Sequence, residues 1–363
     1  MIALAIGVAF LCAFGLTPVV SRLASRLRLV DVPGQLWRKQ HGRAVPLAGG
    51  TAVWLAFWLA LGLWLWLEGA EMHLLPPRWY WGMLLGSSCL MIGGWLDDRL
   101  RLPAVLSWLF PVSAAVLAPW CGIGEDLTAL SNPFGAPIPL TVRLLGVPLS
   151  GVVTGMWLLG MTYTTKLLDG VDGLVATISV LAALVLLVVA FTPQVYQPRA
   201  AILAALLAAA LVGFLPYNLP PATVFLGEGG STFLGFMIAV LAVIVDGKIA
   251  TAVLVMGVPM LDVIMVVISR GLARQNPFTG DRRHLHFRLL DLGLNPKQAV
   301  GLYAAVVAGC GLAAVVVQTF GIWMAFGVLV SVMAVFVLSV HRLRHRPHHG
   351  QSDQRYSRRE QFP

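Results

Sequence analysis

The chain has 363 residues, of which 58% are hydrophobic and only 11% carry a charge. Soluble proteins average about 25% charged residues, so this composition excludes an ordinary soluble domain and indicates a protein of the lipid bilayer. A formal net charge of +9 at pH 7 is also found in proteins that bind nucleic acid, but the distribution of basic residues described below accounts for it without a nucleic-acid partner.

Apolar stretches recur along the chain, and each approaches the length of about 20 residues that a helix needs to cross about 30 Å of hydrocarbon. They lie at residues 2–20, 48–67, 79–96, 102–120, 146–165, 174–191, 199–215, 231–247, 249–268, 298–317 and 322–340. Pro111 interrupts the fourth stretch and Pro216 ends the seventh, which neighbouring helices can accommodate. We predict an all-α fold in which residues 1–340 form one polytopic bundle of about eleven transmembrane helices, followed by a basic, disordered tail at residues 341–363.

Lysine and arginine are distributed unevenly between the segments that connect these stretches. With the N-terminus outside, the inner segments hold 21 of the 25 basic residues. These inner segments are residues 21–47, 97–101, 166–173, 216–230, 269–297 and 341–363. Cytoplasmic segments carry such an excess, so the sequence predicts an outer N-terminus, a cytoplasmic C-terminus and a multi-pass protein of the cytoplasmic (inner) membrane. The longest outer segment, residues 121–145, contains NPFG at residues 132–135 and is predicted to form a short hairpin.

Acidic residues occur in three glycine-punctuated motifs, and all three lie in or at predicted inner segments. The motifs are residues 95–99 (WLDDR), 166–174 (KLLDGVDGL) and 227–231 (GEGGS). A carboxylate in the bilayer costs about 2.5–3.5 kcal/mol on insertion scales, so the five in these motifs would cost roughly 12–17 kcal/mol without partners or water. We therefore expect them to face one shared polar pocket at the cytoplasmic ends of the helices, as in a membrane enzyme.

The inner segments combine these acids with basic side chains that suit phosphate groups. The acids are Asp97, Asp98, Asp169, Asp172 and Glu228. The basic residues are Arg38, Lys39, His41, Arg282, Arg283, His284, His286 and Arg288. Carboxylates suit Mg²⁺, which binds through one or two of them plus substrate phosphates, and Arg, Lys and His donate hydrogen bonds to phosphate oxygens. This combination predicts phosphoryl transfer, catalysed by positioning and charge neutralisation, between a soluble substrate and a lipid-borne one.

The order of the motifs resembles that of the polyprenyl-phosphate N-acetylhexosamine-1-phosphate transferases, glycosyltransferase family 4. The resemblance is carried by Asn218 and by residues 31–34 (DVPG), 38–41 (RKQH), 46–50 (PLAGG), 97–99 (DDR), 169–174 (DGVDGL), 225–231 (FLGEGGS) and 281–290 (DRRHLHFRLL). The match extends from about residue 31 to residue 294, with the motifs in register. An arginine after the histidines and an additional C-terminal span make the chain most similar to the branch that transfers N-acetylglucosamine 1-phosphate.

The resemblance implies a reaction and a role for each residue at a matching position. It implies transfer of a sugar 1-phosphate from a UDP-sugar to undecaprenyl (polyprenyl) phosphate, with release of UMP, at the start of cell-wall or surface-glycan synthesis. Asp97, Asp98 and Asp169 are the implied catalytic residues, and Glu228 and Asp98 are implied to hold Mg²⁺, with Mn²⁺ as an alternative. The implied substrate-binding residues are Lys39, His41, Lys166, Asp172, Asn218, Phe225, Arg282, Arg283, His284, His286 and Arg288. A homodimer is left open.

The chain differs from the usual family pattern at four positions. Tyr163 and Lys166 stand where the family has Asn-x-x-Asn, Glu228 replaces the aspartate of its Gly-Asp motif, and Phe287 replaces its last histidine. Lys166 is a candidate to hold a phosphate in place of amide contacts. A different UDP-N-acetylhexosamine and a catalytically silent homologue are therefore alternatives. A lipid or sugar transporter is a third, although it would place polar residues near the midplane at a repeat interface, and the sequence has no visible repeat.

Several of these acids also have structural interpretations that stay open. The aspartate pair of the first motif could end a helix and pair with nearby arginines, and one aspartate of the second motif could cap the helix that follows it. Asp262 lies within the ninth stretch near its inner end, where a carboxylate is a functional candidate. It either pairs with Arg270 or supports the site from behind.

Overall fold

A computed structural model gives the fold. It describes residues 1–32, 44–68, 75–130, 136, 138–144, 147–245, 249–272, 284–320 and 331. Helices account for most of this part of the chain. They are α1 (Ile2–Arg26), α2 (Gly49–Glu68), α3 (Pro77–Leu100), α4 (Ala104–Trp120), α5 (Leu149–Leu168), α6 (Leu174–Ala190), α7 (Pro198–Asn218), α8 (Gly227–Ile244), α9 (Ile249–Val255), α10 (Gly257–Leu272), α11 (Leu285–Asp291) and α12 (Pro296–Phe320).

The first ten apolar stretches predicted from the sequence all fall on helices. The ninth stretch is divided at Met256 into α9 and α10. The division lies beside Gly257 and Pro259, and glycine weakens a helix while proline removes a hydrogen-bond donor from it. The eleventh stretch, residues 322–340, and the basic tail lie outside the described residues.

Among the described residues, five helical segments are long and apolar enough to cross a membrane. They are Ile2–Arg26, Gly49–Glu68, Pro198–Asn218, Gly227–Ile244 and Pro296–Val316. Two shorter apolar helices, α4 and α6, join them. The chain is therefore a mostly helical, multi-pass membrane protein, as the composition predicts, while the number of eleven spans and the orientation stay predictions.

In the part of the chain that the structure describes, three small antiparallel strand pairs interrupt the helical pattern, so the predicted all-α fold is right for the bundle but incomplete. They are β1 (Val30–Asp31) with β2 (Val45–Pro46), β3 (Ala129–Leu130) with β4 (Ile138–Pro139), and β5 (Arg143–Leu144) with β6 (Val147–Pro148). The β3–β4 pair confirms the hairpin predicted between α4 and α5. The β1–β2 pair joins the two ends of residues 33–43, which lie outside the described residues.

Helix α8 lies at the centre of the bundle, packed against α2, α3, α5, α6 and α9. In the most apolar stretch of α8, 94% of the residues are buried inside the protein, whereas the value for α1 is 22%. Helix α8 is therefore enclosed on all sides, and α1 lies at the periphery. A helix that is apolar all round needs such an environment. The position of α8 therefore fixes where its polar N-terminal turn lies.

Glycines let the first turn of α8 approach two other helices at backbone distance. A Cβ built on Gly50 of α2 would lie 2.1 Å from Gly230 Cα, and one built on Gly94 of α3 would lie 2.0 Å from the Gly229 nitrogen. The Gly50 N–H also donates to the Leu226 carbonyl at 2.9 Å. No side chain fits at these contacts, so the glycines of the GEGGS motif and of PLAGG serve close packing.

We expect Gly50→Ala to destabilise the protein, because its methyl group would meet the backbone of α8 rather than a movable side chain. Overpacking of this kind costs about 1–3 kcal/mol, which for a chain of this length should lower the thermal unfolding midpoint by about 1–4 °C. Gly62→Ala on the same helix is the matched control, because nothing lies within 4 Å of a Cβ there. Equal midpoints for the two variants in detergent would contradict the close contact.

Candidate active site

The acidic motifs meet where the C-terminal ends of α3 and α5 reach the N-terminal end of α8. Asp98 and Asp97 lie in the last turn of α3, Asp169 follows α5, and Glu228 is the second residue of α8. A small cavity between these ends is lined by Asp97, Lys166 and Glu228 among others. The motifs meet as the sequence predicts, but only two of the five acids, Asp97 and Glu228, line this cavity, so one pocket shared by all five stays a prediction.

Asp98 holds the N-terminus of α8. Its Oδ2 atom accepts the Glu228 backbone N–H at 3.1 Å, and its Oδ1 lies 3.4 Å from the same nitrogen. The first N–H groups of a helix have no partner within it and carry partial positive charge, so a carboxylate is stabilised there. Gly227 precedes with φ +76°, and a Cβ at that position would lie 2.8 Å from Asp98 Oδ2. Only glycine combines that conformation with that space.

Asp97 has a separate role in the turn between α3 and α4. Its Oδ1 accepts the Leu102 N–H at 3.0 Å and its Oδ2 accepts the Ser107 hydroxyl at 2.7 Å. The two neighbouring aspartates therefore differ: Asp98 faces α8, whereas the carboxylate of Asp97 accepts hydrogen bonds from α4 and from the turn before it. Asp97 lines the cavity, but these hydrogen bonds organise the helix ends, and its predicted catalytic role stays a prediction.

Lys166 connects the two sides of the cavity. Its Nζ forms an ion pair with Glu228 Oε1 and donates a hydrogen bond to Ser107 Oγ at 3.2 Å. Because Ser107 donates in turn to Asp97, a continuous polar chain runs from Asp97 through Ser107 and Lys166 to Glu228. The sequence does not single out Ser107, whose only signal is a hydroxyl in the first turn of a mostly apolar helix.

Asp169 lies in the loop between α5 and α6, outside both helices, and retains contact with solvent. Nevertheless the protein around its carboxyl group withdraws that group from water and raises the pKa of Asp169 to about 7. The negative charges of Glu228 and Asp172 act in the same direction, whereas a hydrogen bond from Ser231 opposes them. Near neutral pH this carboxyl group therefore exchanges a proton readily.

Neither aspartate of the DGVDGL motif caps α6, which corrects one expectation from the sequence. The N-cap of α6 is Gly173, with φ +74° and no side-chain cap hydrogen bond. Asp172 Oδ2 instead accepts the Ala222 N–H at 2.9 Å and so ties this loop to the segment that leads into α8.

The histidine segment, which consists of residues 284–291, packs on the DGVDGL loop. Asp262 of α10 holds it, since Asp262 Oδ1 accepts the Leu285 N–H at 2.7 Å and Oδ2 lies 3.1 Å from His284 Nδ1. A Cβ built on Gly170 would lie 2.7 Å from His286 Nε2, so the histidine packs directly on the loop. Asp262 thus holds this segment in place, while pairing with Arg270, the other alternative from the sequence, stays open.

His286 is buried and neutral. Burial, together with the neighbouring His284, lowers the pKa of His286 to about 3. Among the described residues neither ring nitrogen of His286 has a hydrogen-bond partner. The two histidine rings stack with centroids 5.5 Å apart and 7° between planes. His286 therefore cannot attract phosphate through charge at neutral pH, although a neutral imidazole still offers one N–H.

The remaining predicted substrate-binding residues fall into two groups. Those outside the described residues are Lys39, His41, Arg282 and Arg283. Asn218 is 3% exposed and its Nδ2 donates to the Val224 carbonyl at 3.0 Å, which is a structural contact in the turn before α8. Phe225 and Arg288 are half-buried. Substrate contacts of these residues stay predictions.

Comparisons with known proteins agree with the motif order. A family model described as glycosyl transferase family 4 matches residues 80–246. A probable undecaprenyl-phosphate N-acetylglucosaminyl 1-phosphate transferase of Bacillus subtilis is 28% identical over 342 residues, which is 92% of this chain and 88% of the relative. An undecaprenyl-phosphate alpha-N-acetylglucosaminyl 1-phosphate transferase of Thermotoga maritima is 29% identical over 276 residues, 76% of this chain and 77% of the relative. A protein of the same name from Escherichia coli O157:H7 is 25% identical over 307 residues, 81% and 78% respectively.

Proposed function

On the similarity to glycosyl transferase family 4 and to the relatives named above, we propose that the chain is a member of this family and that it transfers N-acetylglucosamine 1-phosphate from UDP-N-acetylglucosamine to undecaprenyl phosphate. An oxygen of the lipid phosphate attacks the phosphorus that carries the sugar, a new diphosphate bond forms, and UMP leaves. The product is a lipid-diphosphate-linked sugar. The names of the relatives support the sugar and the lipid, and the chain is an enzyme of the membrane like them.

The observation that carries this proposal is the meeting of Asp98, Asp169, Lys166 and Glu228 at the ends of apolar helices. A site at the end of a span can receive a water-soluble nucleotide from one side and a phosphate on a lipid tail from the other. Electrostatic groups fixed before the reaction contribute most to phosphoryl transfer. A transporter would need its polar groups near the bilayer midplane, which fits this arrangement less well.

The carboxylates suit Mg²⁺, which would be held by Asp98 and Glu228. Asp98 accepts the backbone N–H of Glu228, the second residue of α8, and retains lone pairs. No group of three or more His, Cys, Asp or Glu side chains that could enclose a metal occurs in the described part of the chain. Magnesium does not need one, because it keeps several waters and takes substrate phosphates as ligands. When bound, it would neutralise charge on the diphosphate.

The protein's own groups divide the remaining tasks. Asp169 has a pKa near 7, which suits a group that accepts the proton of an incoming phosphate monoester, whose second pKa is about 6. Lys166 supplies positive charge beside the diphosphate. Neutral His286 is limited to a single hydrogen bond, while Arg288 on the same short helix supplies charge.

We infer the topology from the distribution of basic residues: eleven spans, an outer N-terminus and an active site that faces the cytoplasm. We expect a reporter fused after Gly122 to lie outside and one fused after Gly350 to lie inside, because the inner segments hold 21 of the 25 lysines and arginines. Gly122 follows α4, on the side opposite to the turn that Asp97 organises. A cytoplasmic signal from the reporter after Gly122 would contradict this topology and, with it, an active site on the cytoplasmic side.

The activity is tested with purified protein, UDP-N-acetylglucosamine and undecaprenyl phosphate. We expect UMP release that requires Mg²⁺ and the lipid and that stops when the metal is chelated, because both the acids and the diphosphate are negatively charged. A panel of UDP-N-acetylhexosamines then ranks the sugars. Absence of UMP release with every sugar would favour a transporter or a silent homologue and overturn the proposal.

Among the acids, Asp98→Asn and Asp169→Asn should each lower turnover at least about a hundredfold, since loss of one preorganised charged group costs about 2.7–4 kcal/mol. Asparagine keeps the size and an acceptor oxygen, so the fold should survive. Asp126→Asn is the matched control, because Asp126 is exposed in the turn after α4. Near-normal UMP release by both cluster variants would remove these residues from the chemistry.

A further inference from the structure

Lys166 is held on three sides within the acid cluster. It forms an ion pair with Glu228, donates to Ser107 Oγ at 3.2 Å, and its Nζ lies 5.7 Å from the centroid of the Tyr163 ring. An aromatic face attracts a cation at that distance. The ammonium group is therefore fixed opposite one of the two carboxylates that the proposed metal would use.

The ion pair is substantially withdrawn from water. The exposed fraction of the side chain is 20% for Lys166 and 26% for Glu228. Charges in such a position interact more strongly than surface charges, and removal of one partner leaves the other without compensation. A divalent cation that approaches Glu228 must therefore either displace the ammonium group or tolerate its repulsion.

We propose that Lys166 is the resident counter-ion of Glu228, that it competes with the divalent cation for this carboxylate, and that metal binding releases the ammonium group to the diphosphate of the nucleotide. The diphosphate part of this inference rests on the proposed function. Lys166 is in this view a positioning residue for Glu228 in the free protein and a ligand of the nucleotide in the loaded one.

The exchange predicts coupling between the two ligands. In the free protein the metal binds weakly, because it must separate an existing ion pair. Once the metal occupies Glu228, Lys166 has lost its partner, and a negatively charged diphosphate restores one. Each ligand therefore strengthens binding of the other, as linkage requires. Without the lysine, the metal meets an uncompensated carboxylate and binds well alone, whereas the nucleotide gains less from it.

The test compares the full-length protein with Lys166→Met, a neutral variant of similar length. Binding of Mn²⁺ is measured in detergent from the electron paramagnetic resonance signal of the free ion, with and without UDP. For Lys166→Met we expect Mn²⁺ alone to bind roughly tenfold more tightly and its enhancement by UDP to fall by a similar factor, a coupling of usual size. Mg²⁺ should raise the thermal midpoint of this variant more than that of the parent protein.

Lys297→Met is the matched control, because it removes one lysine from an exposed position at the start of α12. It should leave Mn²⁺ binding unchanged. Unchanged or weaker Mn²⁺ binding by Lys166→Met overturns the inference. If Lys166→Met fails to fold, Lys166→Gln decides in the same way, because a neutral amide can still donate to Ser107. The proposed function is judged separately, by UMP release. If the parent protein releases UMP but the Lys166 variants bind the metal as the parent does, only the role of Lys166 is rejected.

Discussion

The contact between Asp98 and the first turn of α8 fixes the geometry on which the candidate site depends. The carboxylate accepts the Glu228 N–H at 3.1 Å, and this bond can form only because the turn approaches α2 and α3 at backbone distance. Gly50 and Gly94 leave that space. Helix N-termini offer unpaired N–H groups and positive partial charge, so this one interaction gives the end of the central helix a hydrogen-bond partner and places a carboxyl group at the edge of the bundle.

Charge balance then determines what else the site requires. Several carboxylates converge at the ends of apolar helices. Among the described side chains that line the cavity, the ammonium group of Lys166 is the one positive charge. The ion pair of Lys166 neutralises the charge of Glu228. Because the pKa of Asp169 is about 7, this carboxyl group is partly protonated near neutral pH, which lowers the remaining negative charge. A site with this surplus of negative charge is suited to a divalent cation and unsuited to diphosphate alone. The metal and the nucleotide are thus complementary requirements of the same cluster.

The sequence predicts the bundle well because long apolar runs have few alternatives in a membrane. The sequence also predicts that the acids of the three motifs lie close together, since each motif ends or begins a span on the same predicted side. Side-chain contacts were less predictable. Asp172 accepts a backbone N–H from Ala222 instead of capping α6, and Ser107 joins the acid cluster from α4. Both contacts depend on where separate helices meet, which no local pattern of residues encodes.

The histidine segment shows how the same position can change its chemistry through burial. Exposed, a histidine near pH 7 is a ready source of positive charge, and the sequence alone favours that use for His286. Packed on Gly170 and behind His284, it stays neutral, and Asp262 directs its two oxygens to His284 and the Leu285 N–H. His286 therefore brings no positive charge to the site. Positive charge for the phosphates of the proposed substrates must then come from lysine and arginine, and Lys166 is the lysine already in place beside Glu228.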